Sequence, residues 1–86
     1  MKNIIEMNNN KCTIHFTGRA GILFTDENGI QYDIDTEMLA SKKYDIALSK
    51  RSIKPVAENL KLSDNDKDII VSKILEFTPG IKWLVE

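Results

Sequence analysis

Hydrophobic and polar residues alternate through the first half of the chain, with the two-residue period of β-strands. In "IQYDID", for example, Ile30, Tyr32 and Ile34 share one side, and the residues between them are polar. The Asn28-Gly29 pair before this segment favours a type I′ hairpin turn, whose two central residues need a positive φ. Strands are therefore predicted in KCTIHFT (11–17), GILFT (21–25), IQYDID (30–35) and YDIALS (44–49).

A helix is predicted in the second half of the chain, where the period of the hydrophobic residues changes. Ser63 is a suitable N-cap, and Asp66 occupies the position from which a capping-box side chain bonds back to the cap. Pro79-Gly80 ends the helix, because proline cannot continue it. Between these signals one apolar stripe is formed by Ile70, Val71, Ile74, Leu75 and Phe77.

The remaining segments complete a single domain, residues 1–86, because a chain of this length has room for one core. Pro55 holds Lys54 extended, and IKWLVE (81–86) is predicted as a last strand with Trp83 in the core. The predicted fold class is α+β. It comprises an antiparallel β-meander of about four to five strands, one C-terminal helix packed on it and a final strand.

Composition narrows the class of protein. The single cysteine allows no internal disulfide, and the interrupted N-terminus "MKNIIEMNNNK" does not resemble a signal peptide. No run of 18 or more apolar residues is present, so we expect no membrane interaction and a cytoplasmic location. The net charge of −1 gives no general attraction to nucleic acid.

Three acids at alternate positions, Asp33, Asp35 and Glu37, are the sharpest candidate for chemistry. Alternate residues of a strand share a face, so the three carboxylates could converge on a hard cation. An EF-hand loop does not fit, because Met38 and Tyr44 stand where glycine and glutamate are required. A solvated strand face is the favoured interpretation, and such a face is also compatible with docking a partner.

Other candidate motifs do not form a recognisable active site. Cys12 and His15 are three positions apart in a strand and therefore point to opposite faces. The segment TGRAG (17–21) lacks the pattern of a dinucleotide-binding loop or a P-loop and is predicted as a turn. We predict no catalytic residues, no cofactor and no metal, and a protein that binds rather than catalyses.

Charge is unevenly distributed along the sequence. Residues 26–37 hold five acids and no base, and residues 42–54 hold five bases and one acid. Cross-strand pairing would explain this contrast, and the alternative is a small nucleic-acid-binding regulatory protein that uses the basic stretch 42–54. The aromatic residues typical of an RNA-binding sheet are absent there. The acids of residues 26–37 are Asp26, Glu27, Asp33, Asp35 and Glu37, and the bases of residues 42–54 are Lys42, Lys43, Lys50, Arg51 and Lys54.

The order of these segments resembles a family of small bacterial immunity proteins, the partners of polymorphic toxins, catalogued as immunity protein family seventy-four. The resemblance covers about residues 16–86. It rests on a strand, a hairpin, and the motifs Asp35-Thr36-Glu37-Met38-Leu39, Tyr44-Asp45-Ile46 and Ser52-Ile53-Lys54. The family tends to carry a tryptophan soon after Ser-Ile-Lys, whereas this chain has Pro55-Val56.

The resemblance implies a non-enzymatic antitoxin that binds a cognate toxin domain, such as a secreted effector C-terminus, and blocks its active site. The lack of a signal peptide then predicts a toxin that acts in the cytoplasm. An acidic surface would suit a toxin with a basic cleft for nucleic acid or phosphates. We therefore predict that the toxin-binding surface includes Asp26, Glu27, Asp33, Asp35 and Glu37.

Overall fold

The computed structural model describes residues 6–8, 12–17 and 20–86, and for residues 6–8 it describes the backbone only. Within these residues the chain forms seven strands, one α-helix and one short 3-10 helix. The strands are β1 (Glu6–Asn8), β2 (Thr13–Phe16), β3 (Gly21–Thr25), β4 (Gln31–Met38), β5 (Ile46–Leu48), β6 (Lys54–Pro55) and β7 (Trp83–Val85). The 3-10 helix covers Lys50–Ser52, and the α-helix α1 covers Asp64–Phe77.

All seven strands belong to one sheet, in the order β1-β2-β3-β4-β5-β7, and β6 pairs with β4 beside β5. The first five strands follow each other as an antiparallel meander. The last strand, β7, pairs parallel with β5, because the chain passes through the helix before it returns to the sheet. The α+β prediction is confirmed, and the parallel pairing of β7 is a feature that the sequence pattern does not indicate.

The helix packs on one face of the sheet and closes a single core. Phe24 and Tyr32 lie opposite each other on β3 and β4, with ring centroids 6.3 Å apart. The predicted inward positions of β4 and the predicted burial of Trp83 are confirmed. The buried hydrophobic cluster comprises Ile14, Ile22, Phe24, Tyr32, Ile34, Ile46, Leu48, Ile53, Ile70, Val71, Ile74 and Trp83.

The turn between β3 and β4 differs from the type I′ turn predicted from Asn28-Gly29. Gly29 has a φ of 82°. Among the described residues, no residue type other than glycine has a positive φ. The Asp26 N–H donates to the Ile30 carbonyl, and the Gly29 N–H donates to the Asp26 carbonyl. The loop therefore has three residues, with glycine in the left-handed position that ends a turn of this length.

The helix begins as predicted and presents a narrower buried stripe than predicted. Ser63 Oγ accepts from the Asp66 N–H, and the Asp66 side chain accepts from the Ser63 N–H, which completes a capping box. Ile70 and Ile74 are buried, but Leu75 is 40% exposed and falls outside the core. No helix in the described part of the chain is long and apolar enough to cross a membrane.

The end of the helix is joined to the last strand by a buried hydroxyl group. Thr78 is 1% exposed, and its Oγ1 donates to the Ile74 carbonyl at 2.7 Å. The same oxygen accepts the indole N–H of Trp83 at 2.8 Å. One side chain thus adds a second hydrogen bond to the Ile74 carbonyl, which also accepts the Thr78 N–H, and it satisfies the only polar group of a buried indole.

The segment between β5 and the helix is held by serine side chains and by pairing with β4. Lys54 is extended next to Pro55, as predicted, and these two residues form β6. Ser52 Oγ accepts the Asp35 N–H at 2.8 Å and donates to the Ser49 carbonyl. The edge of β4 is therefore bonded here by side chains as well as by backbone groups.

We predict that Thr78→Val destabilises the protein by about 1–3 kcal/mol, because a valine of the same shape leaves the Trp83 N–H buried without an acceptor. Thr78→Ser, which keeps the hydroxyl, should cost less. Urea unfolding followed by the fluorescence of the single tryptophan measures both. In a Trp83→Phe background, where unfolding is followed by circular dichroism because no tryptophan remains, the cost of Thr78→Val should shrink. An equal cost in both backgrounds would show that the hydrogen bond contributes nothing.

Candidate docking surface

The sheet has one face covered by the helix and one face that the helix leaves uncovered, which we call the open face. Along β4, Tyr32, Ile34 and Thr36 are buried, whereas the residues between them are exposed. Strand register extends the same face to the neighbouring strands, because paired residues point to the same side. The open face comprises Thr13, His15, Gly21, Leu23, Thr25, Gln31, Asp33, Asp35, Glu37, Ala47, Lys54 and Leu84.

Three of the predicted site residues, Asp33, Asp35 and Glu37, lie in one row on the open face, and we call them the acidic row. All three are exposed, and none forms a side-chain hydrogen bond or ion pair within the described residues. Alternate residues of a strand are about 6.6 Å apart, which holds the carboxylates beside each other rather than around one point. No group of three or more His, Cys, Asp or Glu in the described ranges could hold a metal ion.

The acidic row has small neighbours on the adjacent strands. Asp35 lies opposite Gly21 on β3, and Glu37 lies opposite Ala47 on β5. A Cβ atom at position 21 would approach Thr17 Oγ1 to 3.0 Å, so the site has little room for a larger residue. Because these cross-strand neighbours are small, they do not cover the two carboxylates, which are accessible to a partner that approaches the open face.

Two shallow cavities border the acidic row and meet at Asp35. The larger has a volume of about 470 Å³ and includes Thr17, Gly21, Asp33 and Lys54 in its lining. The smaller, of about 130 Å³, is lined by residues that include Glu37 and Glu86. The surface predicted from the sequence does not include Glu86, because the position of this acid beside the acidic row depends on the parallel pairing of β7.

Asp26, the fourth predicted site residue, is not on the docking surface. It is 6% exposed, and its Oδ1 accepts the backbone N–H groups of Asn28 and Ile30 at 2.9 and 3.0 Å. Its Oδ2 accepts the Tyr32 hydroxyl at 3.4 Å. The carboxylate is a structural group that closes the hairpin. An aspartate before a three-residue turn is the sequence signal for this role.

Glu27, the fifth predicted residue, is exposed at the tip of the same hairpin, at the end of the sheet. Its carboxylate contacts Lys73 of the helix, with Oε1 and Oε2 at 3.1 and 3.2 Å from Nζ. The pair links the β3–β4 turn to the helix, which covers the opposite face of the sheet. Glu27 is therefore separate from the acidic row and already has a cationic partner.

The basic stretch 42–54 does not form one surface. Lys42 and Lys43 precede β5, whereas Lys50 and Arg51 follow it, so the two pairs lie at opposite ends of that strand. Lys50 Nζ donates to Asp68 Oδ1 at 2.6 Å, and this hydrogen bond raises the pKa of Lys50. Lys54 lies on the open face opposite Asp33. The backbone register thus sets these two opposite charges on neighbouring strands, but their side chains form no ion pair within the described residues.

The remaining motifs lie apart from one another. Cys12 packs against the core cluster, whereas His15 belongs to the open face, so the two diverge as predicted. Thr17, Ala20 and Gly21 of the TGRAG segment border the larger cavity, while Gly18 and Arg19 lie outside the described residues.

Comparison of the chain with protein-family models, with curated proteins and with solved structures finds no match.

We predict that Asp26→Ala destabilises the protein by about 2 kcal/mol or more, because it leaves two turn N–H groups and the Tyr32 hydroxyl without their charged acceptor. Glu27→Ala removes the neighbouring acid and an exposed ion pair, and should cost about 1 kcal/mol or less. Thermal and urea unfolding of the two variants provide the comparison. Equal costs would contradict the structural role of Asp26.

Stability should fall with pH above about pH 10, in part because of Tyr32. Burial, followed by the charge and hydrogen bond of Asp26, raises the pKa of Tyr32 above 10.0, its ordinary value. The unfolded chain therefore loses this proton first, and the stabilising contribution is complete below pH 10 and lost as pH rises through the folded pKa. Tyr32→Phe should reduce the slope of unfolding free energy against pH in this range. An unchanged slope would show that Tyr32 makes no contribution to it.

Proposed function

We propose that this chain is a non-enzymatic immunity protein that binds a toxin domain acting in the cytoplasm and blocks its active site through the open face. The observation that carries the proposal is the acidic row, three unpaired carboxylates held side by side on the central strand of an uncovered sheet face. The resemblance of the chain to a family of toxin-immunity proteins supplies the class of partner.

The open face has the properties that favour binding of a basic protein surface. Its described residues include three carboxylates against one lysine, Lys54, so the field of this face attracts cations and would speed encounter with a basic partner. The carboxylates are attached to a strand that is bonded on both edges, so binding would cost little ordering of the backbone. Leu23 and Leu84 on the same face supply apolar area that a partner can bury.

A toxin whose cleft binds nucleic acid or phosphate groups would present such a basic surface. In this proposal the acidic row occupies the cleft, so the substrate and the immunity protein compete for the same cationic residues. The nucleic-acid-binding alternative receives no comparable support, since its five basic residues lie in three places and Lys50 is paired with Asp68.

Reversing charge at Asp35 and Glu37 together, as D35K/E37K, should slow association with the toxin by about tenfold or more. These two positions are chosen because they face Gly21 and Ala47, so the new lysines meet no cation across the strands. The partner is the toxin domain expected from the gene immediately upstream. Association rates are measured at low and high salt, and rescue of growth is scored when toxin and immunity protein are co-expressed.

The matched control is E58K/E76K, which changes net charge equally at two exposed positions outside the open face. It should keep both rapid association and rescue. Equal association rates for the two double variants would exclude the acidic row as the interface. A wild-type chain that neither binds nor protects against that toxin domain would refute the proposed function as a whole.

A further inference from the structure

The last strand, β7, leaves one edge of the sheet unpaired within the described residues. The Ile46 N–H donates to the Lys82 carbonyl, and the Glu86 N–H donates to the Leu48 carbonyl, so even-numbered residues of this segment bond to β5. Alternation then turns the backbone N–H and C=O groups of Trp83 and Val85 away from β5. These outward groups form no hydrogen bond in the part of the chain that the structure describes. Such an edge is a template for another strand.

The sequence of this edge is complementary to itself. If two copies of β7 run antiparallel with Leu84 opposite Leu84, Trp83 lies opposite Val85 of the other copy. In this register the outward groups of Trp83 and Val85 meet, which gives four backbone hydrogen bonds. Lys82 then lies opposite Glu86 of the other copy, and both residues are exposed in the single chain. A register shifted by two residues would lose this pairing of opposite charges.

The apolar side chains favour the same arrangement. Val85 is 38% exposed, although its cross-strand neighbour Leu48 is fully buried. Trp83 is already buried, with its indole N–H bonded to Thr78. An antiparallel partner would place the valine of each copy beside the tryptophan of the other, which removes apolar surface from water at both ends of the contact.

We propose that the chain forms a homodimer in which β7 of two copies pair antiparallel around a two-fold axis at Leu84. The axis is perpendicular to the sheet, so the two seven-stranded sheets join into one continuous sheet. Both open faces then lie on the same side, with one acidic row on each half. This inference concerns the sheet edge and does not depend on the proposed function of the open face.

Variants that reverse the charge of Lys82 or of Glu86, and one variant that exchanges the two residues, test the charge pairing. Sedimentation over a wide range of concentrations should give the wild type a mass approaching twice that of the chain. Lys82→Glu and Glu86→Lys each place like charges opposite each other twice per dimer, and each should raise the dimer dissociation constant about tenfold or more. The exchange K82E/E86K restores opposite charges and should recover dimerisation. Glu58→Lys, a single charge reversal at an exposed position between β6 and the helix, should dimerise as the wild type does.

A covalent test reports the register directly. In a Cys12→Ser background, Leu84→Cys would place two thiols opposite each other at the axis, at a Cα separation suitable for a disulfide. Mild oxidation should convert this variant to a linked dimer, and Val56→Cys, an exposed position far from the edge in sequence, should link far less.

Three outcomes would overturn the proposal. One is a wild type that keeps the mass of a single chain at every concentration. Another is a dimer that responds equally to the single reversals and to the exchange. The third is growth into longer assemblies, since that would indicate a head-to-tail contact between β7 and a different surface rather than a closed two-fold pair. Circular dichroism of each variant separates loss of dimer from loss of fold.

Discussion

The two-sided hydrogen bonding of β4 is the constraint on which the rest of the structure depends. Its first half pairs with β3 on one edge and β6 on the other, and its last three residues pair with β5. Because both edges are occupied, the strand cannot twist or slip to exchange its faces. The same ladder that directs Tyr32, Ile34 and Thr36 into the core therefore holds Asp33, Asp35 and Glu37 in solvent.

Two buried polar side chains close the core at places where the backbone changes direction. Asp26 satisfies the N–H groups of the β3–β4 turn, and Thr78 joins the end of the helix to the Trp83 indole. Each group lets an apolar element end without leaving a donor or acceptor unpaired in the interior. In a chain of 86 residues with a modest core, such links matter as much as additional apolar contacts.

The same sheet offers two different surfaces for binding. The open face presents side chains, with the acidic row bordered by shallow cavities, and charge would govern which partner it attracts. The β7 edge presents backbone groups, which bind any strand of suitable length and gain selectivity from the residues opposite each other. Since the edge pairs in the plane of the sheet, two copies joined there would keep their acidic rows on the same side of the joined sheet.

The sequence by itself determined five of the seven described strands, the capped helix, the α+β class and the outward direction of the acidic row, because these follow from local periodicity and capping. Tertiary structure decided which acids share a surface. Asp26 and Glu27 belong to the same acidic run as Asp33. However, Asp26 is buried in the β3–β4 turn, and Glu27 forms an ion pair with Lys73 of the helix. Tertiary structure also decided that β7 pairs parallel with β5. This pairing brings Glu86 beside Glu37 and leaves one edge of the sheet unpaired within the described residues. Contacts between residues distant in the chain depend on how elements pack, and no local pattern encodes that.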